Sequence, residues 1–484
     1  MLAAAAPFAG RPQITYAETE QRTYRCYLDK EWDSLITIGH RAIRHDIDYY
    51  YLRTRMGIAY DARGQFIRSA WQYDQALGFN RKDPFATGQR YMALTNANRP
   101  LQARALQATM TREQRELLCE KSPVLEFVSL DLGYAVSNAY SKINTSDLMG
   151  PDSIYGEADL YGNNYFASLG LGFNLSKRFT LLAGYTYLNF AKRKTIQYSY
   201  AEDRLDSTRI YEWGYQNFYS FPRVSNDVPI DYFIVQHEFT MGGVIALDRG
   251  VNIIPVFRLV TARYNNTSAA YRQEQVSDTS FFFYGTDTYY TFPFIRSHYS
   301  FTGKDTSFNN YLFSITATRD FDLLTVGMSG SWSNLNGADQ LQASGFVTWY
   351  PLGNLNLYGT TGVTMLSEEG DGRMLYSQMV GGKVTRWLWA EGDFIWGDLS
   401  NGNTSNGWVV YNNTGRIRYR AGASLILTVI RNLEFTFNYQ FFEKESPLYR
   451  YATPENGREG PVVVKTTWER YQAHNMFIGI RVRI

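Results

Sequence analysis

Arg416, Arg418 and Arg420 stand at alternate positions in one segment of the sequence. Successive side chains of an extended chain point to opposite faces, so this spacing sets all three guanidinium groups on one wall at steps of about 7 Å. Rows of arginine select anions or grip acidic sugars, because the guanidinium fork matches the geometry of an oxyanion. Other segments of the same period carry Glu238, Arg258, Glu391, Asp393, Glu434, Arg481 and Arg483 on what would be the same side. Two readings stand: the charges neutralise one another in a plugged interior, or the arginine row lines a path for anions.

A second constellation is aromatic. Phe281, Phe282, Phe283 and Tyr284 are followed by Tyr289, Tyr290, Phe292 and Phe294. Exposed rings of this kind stack on sugars, Tyr adding a hydroxyl. The turn-forming stretch Gly285 to Asp287 between them fits equally a hairpin whose rings pack on one another. Motifs for catalysis are missing: there is no GxSxG, HExxH, Walker or Rossmann signature, and Gly327-Met328-Ser329-Gly330-Ser331 has the wrong spacing for a nucleophile elbow. His237 and Glu238 are adjacent and, on a strand, face opposite ways. The expectation is no enzyme, no cofactor and no metal site. Two cysteines, Cys26 and Cys119, are too few for a disulfide framework, although a single bridge stays open.

The elements that hold these residues follow from periodicity. With 38 Tyr, 30 Phe and 10 Trp against 14 Pro, composition favours strands. No run of 18 apolar residues is present, which excludes membrane-spanning helices and leaves a membrane barrel open. After residue 122 the period is two to the last residue, clearest where Leu433, Phe435, Phe437, Tyr439 and Phe441 alternate with Glu434, Thr436, Asn438 and Gln440. Fourteen such segments begin near residues 124, 164, 178, 231, 251, 310, 322, 339, 354, 373, 386, 416, 433 and 471. Connections after even-numbered segments are tight turns; those after odd-numbered ones are usually long, as at 138–163, 192–230, 265–309 and 444–470. An even strand number with short turns on one rim and long loops on the other describes a transmembrane antiparallel β-barrel, and a soluble sandwich has no reason to keep that parity. The fold class expected is therefore mainly β, an about 14-stranded barrel over residues 123–484, with outer-membrane lipid around it and both barrel ends on the short-turn rim. Pro255 inside a segment predicts a bulge or kink.

Residues 24–122 read as helical and repeat. Met56, Gly57, Tyr60, Gly64, Phe66, Ser69, Tyr73 and Ala76 form one unit, with Trp32 and Ala42 one period of 34 residues before Phe66 and Ala76, and Ala103 one period after Ser69. This helix-turn-helix period, with small residues at the crossing, resembles the tetratricopeptide repeat; a plain helical bundle is the alternative. Residues 1–23 read as the remnant of a secretory signal or a disordered N-terminus.

Residues 24–119 followed by 123–484 resemble in their order Gram-negative outer-membrane proteins that join periplasmic tetratricopeptide repeats to a C-terminal barrel. These include the YaiO-type barrels and the exporters of cellulose and poly-N-acetylglucosamine. The resemblance implies an outer-membrane translocation or assembly component, with repeats in the periplasm docking a protein partner and polysaccharide as one cargo. A scaffold with a sealed barrel and a diffusion porin are the alternatives. A net charge of +2 gives no reason to expect nucleic acid.

Overall fold

Every backbone donor that faces lipid must find a partner within the protein, and a closed sheet is the β solution. The computed structural model describes residues 14–119, 123–150, 153–430, 432–452 and 461–484. In it fourteen antiparallel strands close on themselves: β1 (Leu125–Ser137), β2 (Tyr155–Asn174), β3 (Phe179–Ala201), β4 (Arg223–Ala246), β5 (Val251–Phe283), β6 (Thr288–Asp320), β7 (Leu324–Ser333), β8 (Gln340–Trp349), β9 (Leu357–Glu368), β10 (Asp371–Lys383), β11 (Leu388–Trp396), β12 (Arg416–Ile430), β13 (Leu433–Ala452) and β14 (Val462–Arg483). Each pairs with the next, and β14 returns to β1 with Leu130 opposite Ile480 and Leu132 opposite Ile478. Alternation decides the two faces. On β1, Leu130, Leu132, Tyr134 and Val136 are exposed outside; Leu341, Met365, Phe437 and Ile478 repeat this on other strands. An apolar belt of this kind is the surface that a bilayer solvates.

Several expected loops are ladder instead. β5 and β6 pair without a break in direction from Val251–Arg319 to Phe283–Thr288, which takes in the predicted loop 265–309. β3, β4, β13 and β14 likewise run on past their predicted ends. Beyond the apolar belt both faces meet water, so the hydrophobic alternation fades while the Thr-, Tyr- and Phe-rich chain keeps pairing. A further hairpin, Arg204–Tyr211 with Gly214–Ser220, adds to the tip of β5. Pro255 makes neither the expected bulge nor a register shift. The β4–β5 pairing is interrupted between Gly242–Val256 and Ile245–Ile253 and resumes in the same register, as a residue without an N–H requires.

Among the described residues seven helices precede the barrel: α1 (Tyr16–Leu28), α2 (Trp32–Ile43), α3 (Tyr50–Ala62), α4 (Phe66–Phe79), α5 (Pro84–Asn96), α6 (Pro100–Leu106) and α7 (Arg112–Leu118). Helix α1 starts ahead of the expected Tyr24, because Thr15 caps it by accepting from the Glu18 amide at 3.2 Å. The expected N-terminal remnant thus gives way to helix from Tyr16, and residues 1–13 lie outside the described residues. The starts Tyr16, Tyr50 and Pro84, and likewise Trp32, Phe66 and Pro100, are each 34 residues apart. Met56, Tyr60, Tyr73 and Ala76 are buried between helices. Gly57 lies under the Tyr73 ring, and Ser69 donates to the Gly57 carbonyl at 3.0 Å; Gly64 follows α3 with φ +70°. Cys26 and Cys119 are free and sit in separate apolar clusters, one with Leu35 and Met56, the other with Leu94 and Met110.

The helical layer rests on the short-turn rim. Ile67 donates to the Gly353 carbonyl and Asn354 to that of Gly64, both at 2.9 Å. Arg68 pairs with Asp322 at 3.3 Å, Arg99 with Asp320 at 2.9 Å, and Arg104 donates to the Thr180 hydroxyl at 2.7 Å.

Candidate functional site

The segment between β11 and β12, residues 397–415, turns into the barrel. Left-handed backbone at Asn401, Ser405 and Asn406, with Gly397 and Gly407, reverses it tightly, and two-residue strands Asn403–Thr404 and Val409–Val410 pair within it. Several of its polar groups are then satisfied by the lumen wall, while the Thr404 hydroxyl and the Asn412 side-chain oxygen are buried without a partner among the described residues. Asn403 exchanges hydrogen bonds with Gln342 on β8 and donates to Ser331 on β7 at 2.8 Å. Asn401 donates to Glu368 on β9 at 2.7 Å. Leu399 is fully buried against Leu375, Ile395 and Ile417. Opposite, the Trp408 ring lies where a side chain at Gly242 would stand, 2.6 Å from an ideal Cβ. The segment is therefore a plug tied to strands on both sides of the lumen.

The charges expected to line the lumen divide in two. Arg258 pairs with Glu238 and also donates to the Trp408 carbonyl, so this buried pair grips the plug. Arg420 pairs with Asp393 and donates to the Tyr411 hydroxyl of the plug. Glu391 accepts from Tyr358, and Glu434 faces Arg481 at 3.3 Å and Arg483 at 3.6 Å. Arg416 and Arg418 do not share that wall. The β12–β13 register shifts between Ile417–Lys444 and Tyr419–Glu443, and this bulge reverses the alternation. Ile417 becomes the buried inward residue, while Arg418 meets Glu445 at 2.8 Å and Arg416 lies over the Trp468 ring at 4.1 Å, among Glu443 and Arg470. The row of three arginines predicted from spacing is thus split by one residue of slippage.

One cluster escaped the sequence reading. Arg373 on β10 pairs with Glu368 and with Asp398 at the root of the plug, the latter at 3.1 Å. The Asn-, Gly- and Ser-rich stretch 397–407 marks a loop, but only tertiary structure says that it turns inward.

At the long-loop rim, β13 leans over to pair with β2, from Leu448–Ala158 to Tyr451–Tyr155. Short helix α8 (Ala139–Lys142) packs beneath with Ile143, Leu160 and Tyr471. The aromatic tip stacks on itself: Phe283 against Trp213 and Tyr290, and Phe282 against Tyr215. Tyr284, Tyr289 and Tyr290 remain more than half exposed. His237 meets Tyr185 at 2.8 Å and is not in reach of Glu238's pair with Arg258.

Two spaces remain. One of about 570 Å³ lies between the plug and the wall of β1, β2 and β14. The other, about 1000 Å³, is a vestibule between the helical layer and the lumen, lined by Phe66, Gly64, Tyr350, Glu434, Arg481 and Arg483. Beside it His40 hydrogen-bonds Tyr60 at 2.5 Å and Arg68 at 3.3 Å, and its pKa is lowered by burial and then by the Arg68 cation.

No family model and no curated protein matches the chain. Among solved structures, a Pseudomonas aeruginosa FadL homologue is 10% identical with a TM-score of 0.38, covering 81% of this chain and 93% of that one. The Ralstonia pickettii toluene transporter TbuX is 9% identical, TM-score 0.32, covering 74% and 90%. The translocator domain of the autotransporter NalP from Neisseria meningitidis is 9% identical, TM-score 0.29, covering 81% and 97%.

Proposed function

We propose that this chain is a gated translocation component of a Gram-negative outer membrane, with its helices on the periplasmic side as a docking platform for a protein partner. The observation that carries this reading is the plug: residues 397–415 are tied across the lumen mainly by hydrogen bonds and an ion pair, with one apolar cluster at Leu399 near their root, so the part beyond that cluster can leave if those contacts are exchanged. The helical layer supports the second half. It sits on the short-turn rim, at the vestibule that a molecule entering from that side must cross. The 34-residue spacing of its helix starts supports reading it as three tetratricopeptide repeats. Envelope polysaccharide as cargo draws only on the resemblance in the order of parts; the split arginine row and the self-stacked aromatic tip lend it nothing.

A sealed scaffold is the second reading, favoured by the number of strands that the plug ties together. Single-channel conductance of the full chain in a planar bilayer, beside a variant with residues 399–413 replaced by a Gly-Ser linker, separates the two. Steady current in the linker variant, with rare openings of the intact chain, supports the gate. Silence in both, with the barrel folded, leaves the scaffold. A simple porin would conduct steadily without the change.

A further inference from the structure

Three polar side chains from three strands meet where the long-loop wall begins to part. Lys194 on β3 is 6% exposed, and its ammonium lies 2.7 Å from a carboxylate oxygen of Glu157 on β2. The same ammonium donates to the side-chain oxygen of Asn266 on β5 at 3.1 Å and to the Thr267 carbonyl at 2.9 Å. The β4–β5 ladder ends at Val235–Arg263, so Asn266 lies beyond the last pair with β4. Lys194 stands opposite Ile230 of β4 and reaches past that strand.

An amine, a primary amide and a carboxyl group held in contact are the two reactants and the acid–base catalyst of an amide exchange. In water the amine is protonated and the amide inert. Here the fold supplies proximity, and Glu157 is placed to take the proton that masks the nucleophile. Residues two apart on a strand share a face, which sets Ile196 beside Lys194 and Tyr155 beside Glu157; both are buried. Exclusion of water penalises the ion pair relative to the neutral amine and acid. Lys192, on the same face, meets Asp159 at 2.6 Å and the rings of Tyr161 and Tyr232 but no primary amide among the described residues, so it stays an ion pair.

We propose that Lys194 and Asn266 join in an intramolecular isopeptide bond, with Glu157 as the catalytic base and acid. Glu157 takes the ammonium proton, and the neutral Lys194 Nζ attacks Asn266 Cγ. The new C–N bond forms as the carbonyl π pair moves to Oδ1. Glu157 then protonates the amide nitrogen and recovers a proton from Nζ; the old C–N bond breaks, the carbonyl re-forms and ammonia leaves. One amide replaces another, so no oxidant or cofactor enters. The bond straps β3 to β5 at the place where the backbone ladder between β4 and β5 has stopped.

The test is the mass of the full chain before and after folding from urea into a nonionic detergent. The folded chain should be lighter by one ammonia, and its tryptic map should hold one branched peptide that contains Lys194 and Asn266, uncut after Lys194. Lys194→Arg, Asn266→Ala and Glu157→Gln should each keep the mass that its sequence requires. The first leaves a cation beside Glu157, and the last leaves both reactants in place. A heat-dependent gel shift checks that each barrel is closed. An unaltered mass in the folded parent overturns the proposal. So does an ammonia loss that survives in Lys194→Arg, which assigns it to cyclisation at Asn401-Gly402 or Asn406-Gly407 in the plug. Should Lys194→Arg not fold, Glu157→Gln replaces it, and a loss that proceeds there at the parent's rate counts equally against the assignment.

Discussion

The amide of Ile67 donates to the carbonyl of Gly353 at 2.9 Å, so a turn of the barrel caps a helix of the helical layer. Helix α4 has no side-chain cap of its own at Gln65. Its second amide, one of the donors that every helix start leaves unpaired, is satisfied by the β8–β9 turn instead. Gly353 holds that turn at φ +66°, and an ideal Cβ there would stand 3.0 Å from Gln65 and Arg68.

Replacement of Gly353 by Val should therefore strain the turn and push the layers apart together, at a cost of about 1–3 kcal/mol. Amide hydrogen exchange checks it: Ile67 should lose protection while amides in the middle of α3 keep theirs. Equal protection at Ile67 in both proteins would show that the barrel does not cap this helix.

Acid should loosen the same interface. His40 titrates below its ordinary value of 6.5, because burial and the Arg68 cation oppose its protonation more than Asp322 favours it; Arg53 and Arg44 add to the opposition. For a group depressed in the folded state, stability is present above the unfolded value and is lost as pH falls from there through the folded value. Since Arg68 also pairs with Asp322 on the rim, a charged His40 weakens docking. Protease sensitivity of the helical layer should rise as pH falls below about 6.5, and His40→Gln should flatten that dependence. A slope that survives in the Gln variant assigns it to another group.

Much of this fold is legible in the sequence, and what is not has definite causes. The alternation from Leu433 to Phe441 marks β13, because one face meets lipid and the other the lumen. The 34-residue step from Trp32 to Phe66 joins two positions at which the second helix of a pair starts. Spacing alone puts Arg416 and Arg418 on the wrong face because a bulge is a property of two strands: nothing between Arg416 and Arg420 distinguishes a regular ladder from one with an extra residue. Strand extensions beyond the bilayer lose the contrast between faces on which the period rests. The plug is polar and turn-rich like any surface loop, and the partners that draw it inward, Gln342, Arg258 and Glu368, lie far away in the sequence.

The bulge makes a sharp distinction among the three arginines. Arg420 is largely buried, and its removal leaves Asp393 without its cation and the plug without its bond to Tyr411. Breaking a buried pair costs about 3–5 kcal/mol, so Arg420→Ala should lower the unfolding midpoint clearly and raise the frequency of channel openings. Arg416→Ala and Arg418→Ala remove exposed groups on the outer surface and should leave both measurements near those of the parent. Equal effects from all three would restore the single arginine wall and remove the bulge from the account.

The contact between Trp408 and Gly242 gives the most direct handle on the gate. No Cβ fits at Gly242 while the indole is in place: it would lie 2.6 Å from one ring carbon and 3.1 Å from the Pro255 carbonyl. Gly242→Leu therefore competes with Trp408 for one position. The strand is held on its β3 side by the Leu182–Gly242 pairing and its neighbours, whereas around Trp408 the plug is held by side-chain hydrogen bonds and its apolar anchor at Leu399 lies nine residues away, so the plug should yield there. Conductance of Gly242→Leu should then resemble that of the linker variant, and adding Trp408→Gly, which removes the competitor, should lower the cost of the leucine without closing the channel. If Gly242→Leu stays silent while folded, the indole has moved aside within the lumen and the plug does not leave as a unit.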